Sequence, residues 1–167
     1  MKPDALGAIS QTCTLLQYRG EEGIPPEWLP LLRALPAAAA KAYAPYSEVH
    51  IGAAVRLSNG EIVTGSNQEN AAYPSGLCAE RNALFSAFHR YPEADLEAIA
   101  IARYDRKEDG TLHLSNMPPT PCGACRQVLA EYLQRCTNEI VPFFMLGAEV
   151  TWCVEDARKL LPFAFVL

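Results

Sequence analysis

Two stretches, Cys78-Ala79-Glu80-Arg81 and Pro121-Cys122-Gly123-Ala124-Cys125-Arg126-Gln127, hold the side chains best suited to bind a metal and move protons. Cys78, Cys122 and Cys125 can supply three sulfur ligands to one Zn²⁺ and leave a fourth tetrahedral position to water, as a catalytic zinc requires. Glu80 follows the first ligand closely, and a carboxylate there can carry protons to and from that water.

The intervals impose a local geometry. Two residues between Cys122 and Cys125 let both sulfurs grip one ion from the first turn of a helix. Cys78 and Glu80 are half a turn apart and would not share a helix face, so both must sit at a helix start and reach past it. A zinc held between two helix N-termini is therefore expected, and such ends favour thiolate over thiol. Three thiolates on one Zn²⁺ carry a net negative charge. Arg81, with Arg126 or Gln127, is placed to offset it by donating hydrogen bonds to sulfur; the plainer alternative for Arg81 is a solvated helix residue.

Composition narrows the classes. A chain of 167 residues, half of them apolar, can bury one core. The net charge of −5 offers no general attraction for a nucleic acid polymer. No apolar run approaches membrane-spanning length and no signal-peptide core opens the chain, so no membrane association and a cytoplasmic location are expected. Six cysteines admit a disulfide framework, but a chain of this length has little need of one and a reducing compartment keeps thiols free for metal. Cys13, Cys136 and Cys153 are expected as ordinary buried or partly buried thiols. His50, His89 and His113 have no partner at metal-ligand spacing and are expected at the surface or solvated.

The elements that hold these stretches follow from pattern. Residues 13–19 suit a short strand and 20–26 a loop. Residues 27–43 are helical in pattern but interrupted by Pro30 and Pro36, which gives two short helices or one kinked helix restarting near Pro36. Alternation over 49–57, a turn at Ser58-Asn59-Gly60-Glu61 and a return strand over 62–66 form a hairpin, Asn-Gly being the preferred pair of a two-residue connection. Asn67 and Glu69 lie just beyond it. The first zinc helix spans 78–89 with Ala79, Ala83, Leu84, Ala87 and Phe88 as its apolar stripe. A strand over 96–102 precedes a long polar connection, 103–116, and the second zinc helix runs from Cys122 to about 134 with Val128, Leu129, Tyr132 and Leu133 inward. Strands over 139–145 and 149–154 are too close in sequence for a crossover, so if they pair they are antiparallel. A short helix over 155–161 stops at Pro162.

The stretch from Gly65 to Arg81 (Gly-Ser-Asn-Gln-Glu-Asn-Ala-Ala-Tyr-Pro-Ser-Gly-Leu-Cys-Ala-Glu-Arg), the Pro-Cys-Gly-Ala-Cys-Arg-Gln motif, Ala44-Pro45-Tyr46-Ser47 and Gly52-Ala53-Ala54 together resemble the cytidine deaminases, closest to the short, single-zinc, homotetrameric type. The resemblance runs from about residue 43 to 165, with its motifs in order. It implies an α/β fold, a three-layer α/β/α arrangement around a five-stranded mixed sheet with the last two strands antiparallel. It also implies one Zn²⁺ per chain, and a homotetramer with active sites at subunit interfaces. Residues 27–167 would form the catalytic domain and 1–26 an N-terminal extension. The implied activity is hydrolytic deamination of cytidine and 2′-deoxycytidine in pyrimidine salvage. Glu80 would be the proton carrier, Asn67 and Glu69 would bind the ribose 3′-hydroxyl, and the Ala79 N–H would meet the base O2. Tyr73 would reach a nucleoside in its own or a neighbouring subunit, and Phe165, or failing it Phe163, would cover the base.

Two features refine this. Val49 stands where the resemblance calls for an aromatic, which bears on substrate preference and admits a modified cytosine nucleoside. Cysteine at position 78 and closely spaced final strands differ from the polynucleotide deaminases, where histidine and an intervening helix are expected. The competing classes are a structural zinc module, which would want a fourth protein ligand, and a thiol redox protein built on Cys122 and Cys125.

Overall fold

A computed structural model describes residues 9–166. In chain order the elements are β1 (Leu15–Arg19), α1 (Leu29–Arg33), α2 (Leu35–Ala39), β2 (Val49–Leu57), β3 (Ile62–Ser66), α3 (Ala79–Arg90), β4 (Leu96–Arg106), β5 (Leu112–Leu114), α4 (Gly123–Arg135), β6 (Phe143–Leu146) and β7 (Val150–Val154). Pro30 and Pro36 each fall in the first turn of a short helix, where a missing N–H costs nothing, so the interrupted pattern yields two helices.

The strands form one mixed sheet ordered β1-β7-β6-β4-β2-β3, with β5 beside the far end of β4. Only β4 and β6 run parallel, joined by the crossover through α4. β6 and β7 are antiparallel, as their short connection requires. Helices cover both faces. On one, Leu31, Leu32, Leu35 and Ala39 pack onto Ala54, Ala98, Ala100 and Ala102; on the other, Ala83, Leu84, Ala87, Leu129 and Leu133 pack onto Val55, Ile99, Ile101 and Phe143. The whole predicted stripe of α3, Ala79, Ala83, Leu84, Ala87 and Phe88, is buried.

Two glycines set how closely the helices approach. A Cβ on Gly52 would lie 2.3 Å from the Leu35 carbonyl oxygen, and one on Gly65 would lie 2.4 Å from the Ala83 amide nitrogen. α2 and α3 therefore rest directly on the backbone of β2 and β3, and α3 carries the first of the two cysteine motifs.

Several expectations need correction. The sheet has seven strands rather than five. One addition is β1, which pairs with β7 from Leu15 opposite Val154 to Arg19 opposite Val150. The other is β5, which folds back on an extended β4 inside the segment expected as a polar connection. The turn at 58–61 is longer than two residues: the Leu57 and Gly60 amides donate to Glu61 and Leu57, with Gly60 at φ +86°. β6 starts later than expected, after Pro142, and 155–161 holds only a 3₁₀ turn over Ala157–Leu160. His50 is buried rather than solvated, and Cys13 is exposed.

Candidate active site

α3 and α4 begin side by side. Cys78 is the N-cap of α3, Cys122 the N-cap of α4, and Cys125 lies in the first turn of α4. All six cysteines are free thiols. The Cys78 and Cys122 sulfurs are 3.9 Å apart and those of Cys122 and Cys125 are 3.4 Å apart. Two Zn–S bonds of about 2.3 Å at a tetrahedral angle put their sulfurs about 3.8 Å apart, so this spacing suits zinc. Among the described residues these three form the one group of three or more potential ligands, all within 4.8 Å of one another.

The electrostatics are those of a site that holds negative charge. The Cys78 thiol is pulled down to about 5, first by the hydrogen bond from Cys125 and then by Arg81 and Cys122, against the opposing effect of burial. The same contact with Cys78, and burial, push the Cys125 thiol up, so Cys78 ionises before Cys125. The unpaired N–H groups of the first turns of α3 and α4 favour the same ionisation. Arg81 donates from Nη2 to the Cys78 sulfur at 3.7 Å, while its Nε is buried without a partner. Glu80, only 7% exposed, has its carboxyl raised above the ordinary range, chiefly by burial. A raised carboxyl beside a metal site can both accept and return a proton near neutral pH.

A cavity of about 630 Å³ opens over these helix starts. Val49, Ile51, Asn67, Glu69, Tyr73, Cys78, Ala79, Glu80, Arg81 and Cys122 all line it, so residues far apart in the chain converge there. Asn67 is locked by the strand beside it: its Oδ1 accepts from the Ile51 amide at 2.8 Å and its Nδ2 donates to the Val49 carbonyl at 2.9 Å. Glu69 Oε2 accepts from the Tyr46 amide at 2.9 Å and the Ser47 amide at 3.3 Å. The Ser47 side chain first, then the Tyr46 amide and more weakly the Ser47 amide, hold its carboxyl below the usual range, so it faces the cavity ionised. Ala79 is the first residue of α3, which leaves its N–H without a helical acceptor. Tyr73 projects into solvent at the rim, 91% exposed.

Phe165 is the exception among the expected residues. It does not line its own chain's cavity and is 66% exposed. Arg126 and Gln127 also differ from expectation, since neither donates to sulfur. Arg126 donates to the Pro121 and Leu160 carbonyls, and Gln127 pairs with the backbone of Phe165. Ile51, Ile101 and Thr120 line the cavity without having been singled out. The two isoleucines had only the strand alternation to mark them, which shows a face but not a pocket. A second cavity of about 470 Å³, lined by Tyr18, Trp28, Ile140 and Phe144 among others, holds none of these groups.

The family model described as the cytidine and deoxycytidylate deaminase zinc-binding region matches residues 29–139. The chain belongs to the cytidine deaminase family. A cytidine deaminase of Sporosarcina psychrophila is 36% identical over 125 residues, 75% of this chain and 81% of the relative. One from Halalkalibacterium halodurans is 43% identical over 90 residues, 54% of this chain and 60% of the relative. The crystal structure of the cytidine deaminase from Burkholderia pseudomallei superimposes with a TM-score of 0.64 at 35% identity, covering 81% of this chain and 97% of that one.

Within this deaminase-family chain the matched segment carries the three cysteines, Glu80, Asn67 and Glu69. β1, β6, β7 and the tail bearing Phe165 lie outside it. No helix among the described residues is long and apolar enough to cross a membrane.

Proposed function

We propose that the protein is a zinc-dependent hydrolase that converts cytidine, and 2′-deoxycytidine, to the uridine product and ammonia. The observation that carries this is the buried Glu80, two residues from the first of three sulfurs spaced for one zinc, with Glu80, Cys78 and Cys122 all lining one cavity. Cys78, Cys122 and Cys125 would hold one zinc per chain. Zinc in that position supplies Lewis acidity that brings the ionisation of water towards neutral pH.

The chain's own groups do the remaining work. Glu80 takes the proton of the attacking water and delivers it to N3 as C4 becomes tetrahedral; it then takes the proton of the new C4 hydroxyl and gives it to the amine, which leaves as ammonia as the C4–N bond breaks and the C4 carbonyl forms, so each transfer resets the carboxylate for the next. The Ala79 N–H, unpaired at the head of α3, donates to the base O2. Asn67 and the ionised Glu69 receive the ribose 3′-hydroxyl, on a frame already fixed by β2 and residues 46–47. Arg81 tempers the negative charge on sulfur through its bond to Cys78.

Phe165 and Tyr73 extend the site beyond one chain. Both are exposed, and Phe165 is outside its own cavity. This supports a homotetramer in which Phe165 of one copy covers the base held by another and the active sites lie at subunit interfaces. Residues 27–167 then form the catalytic domain and 1–26 an N-terminal extension whose strand β1 widens the sheet. Free thiols throughout agree with work in the cytoplasm, in pyrimidine salvage.

The test is a panel of cytidine, 2′-deoxycytidine, cytosine nucleosides modified at C5 and deoxycytidylate, assayed for ammonia. Turnover of the first two is expected. Activity confined to a modified nucleoside would trace to Val49, which lines the cavity with a small side chain, and Val49→Phe would then shift preference to cytidine.

A further inference from the structure

Gln127 belongs to the cysteine motif, yet its side chain faces the C-terminal tail. Its Nε2 donates to the Phe165 carbonyl at 2.9 Å and its Oε1 accepts from the Phe165 amide at 3.1 Å. A primary amide that meets both backbone groups of one residue acts as a rung of β-ladder, fixing position and direction together. The preceding residue grips the same segment: Arg126 donates from Nη1 to the Leu160 carbonyl at 3.2 Å and from Nε to the Pro121 carbonyl at 2.9 Å. Between these two anchors Phe163 sits at φ +57°, a left-handed conformation that a non-glycine residue keeps only when its surroundings impose it.

We infer that Gln127 is a positioning residue: it sets the register of the tail on α4 and thereby the place of Phe165. The arrangement ties the tail to the helix that presents Cys122 and Cys125, so the aromatic group and two of the three sulfurs share one support. The effect on substrate binding rests on the deaminase reading and on Phe165 meeting the nucleoside of another copy.

Three variants of the zinc-loaded protein, Gln127→Ala, Phe165→Ala and the pair combined, test this, with Gln127→Glu as the conservative change that keeps an acceptor for the Phe165 amide. Gln127→Ala is expected to speed hydrogen exchange at the Phe165 amide. It should raise KM for cytidine about five- to tenfold, the loss of one aromatic contact, with kcat and zinc content unchanged. Gln127→Glu should fall between it and wild type, and the double variant should match Phe165→Ala alone, because Gln127 acts through Phe165. Unchanged exchange in Gln127→Ala, loss of zinc or kcat at constant KM, or KM effects that multiply would overturn the proposal. If Phe165→Ala leaves KM unaltered while exchange responds as expected, the contact of Phe165 with substrate is what fails and the registering role of Gln127 stands.

Discussion

The Cys78 and Cys122 sulfurs lie 3.9 Å apart although 44 residues separate them in the chain. What brings them together is the packing of α3 and α4 on one sheet face, with both cysteines at helix starts. The consequences reach both ionisation and fold.

Glu80→Gln is expected to keep zinc and lose turnover, with kcat down by about 10²- to 10⁴-fold, since an amide cannot carry protons. Zinc analysis beside an ammonia assay checks this; retained turnover would remove Glu80 from the mechanism.

Burial of Glu80 also affects stability, with a definite sign. The folded state raises this carboxyl above its ordinary 4.5, so over the interval between the two values the native state binds the extra proton and loses stability as pH rises. Metal-chelated Glu80→Gln is therefore expected to be more stable than chelated wild type above that interval and to converge with it below. Urea midpoints at about pH 4 and about pH 8 test this, and an equal gap at both would contradict it.

The thiols should alkylate in a set order. With Cys78 at about 5 it is mostly thiolate at neutral pH, and its reactivity should persist as pH falls until it titrates near that value. In chelated protein treated with iodoacetamide, peptide mapping should find Cys78 modified before Cys125. Modification of Cys125 first would reverse the charge assignment of the site.

Much of this was legible in the sequence. The cysteine intervals placed three sulfurs at two helix starts, and Pro30 and Pro36 divided the first helical region. The strand over 13–19 was legible too, though not its place in the sheet, and β5 shows where local pattern falls short. Asn59-Gly60 and Asp109-Gly110 make the same turn: an amide donates across to residue 61 or 111, the glycine donates back, and the Asn or Asp Oδ1 accepts from residue 61 or 111. The first was readable because apolar alternation flanks it. The second is flanked by Arg106, Lys107 and Glu108, and the strand pairing of β5 comes from its seat beside β4 rather than from its own residues. The partner of Gln127 was equally hidden, because an amide's type says that it will bond and not to what.

Asn67 has a structural share beside any substrate contact. Asn67→Ala strands the Ile51 amide and the Val49 carbonyl, and should cost about 1–3 kcal/mol of folding free energy. Denaturant titration checks it; a variant as stable as wild type would mean that water replaces both bonds.

Gly65→Ala tests the seating of α3. Its Cβ would meet the Ala83 amide nitrogen at 2.4 Å, and backbone on both sides leaves little room to yield. A loss of about 1–3 kcal/mol is expected, together with weakened zinc retention as Cys78 moves with the helix. Unaltered stability and zinc content would contradict so tight a contact.

The most direct measurement takes zinc and ammonia from one purified sample: metal per chain by elemental analysis, then ammonia released from cytidine. One zinc per chain with turnover, both lost on chelation and both restored by zinc, is the expected result. A protein that deaminates cytidine without metal, or holds its zinc and releases no ammonia from any cytosine nucleoside, would contradict the catalytic site built on Cys78, Cys122, Cys125 and Glu80.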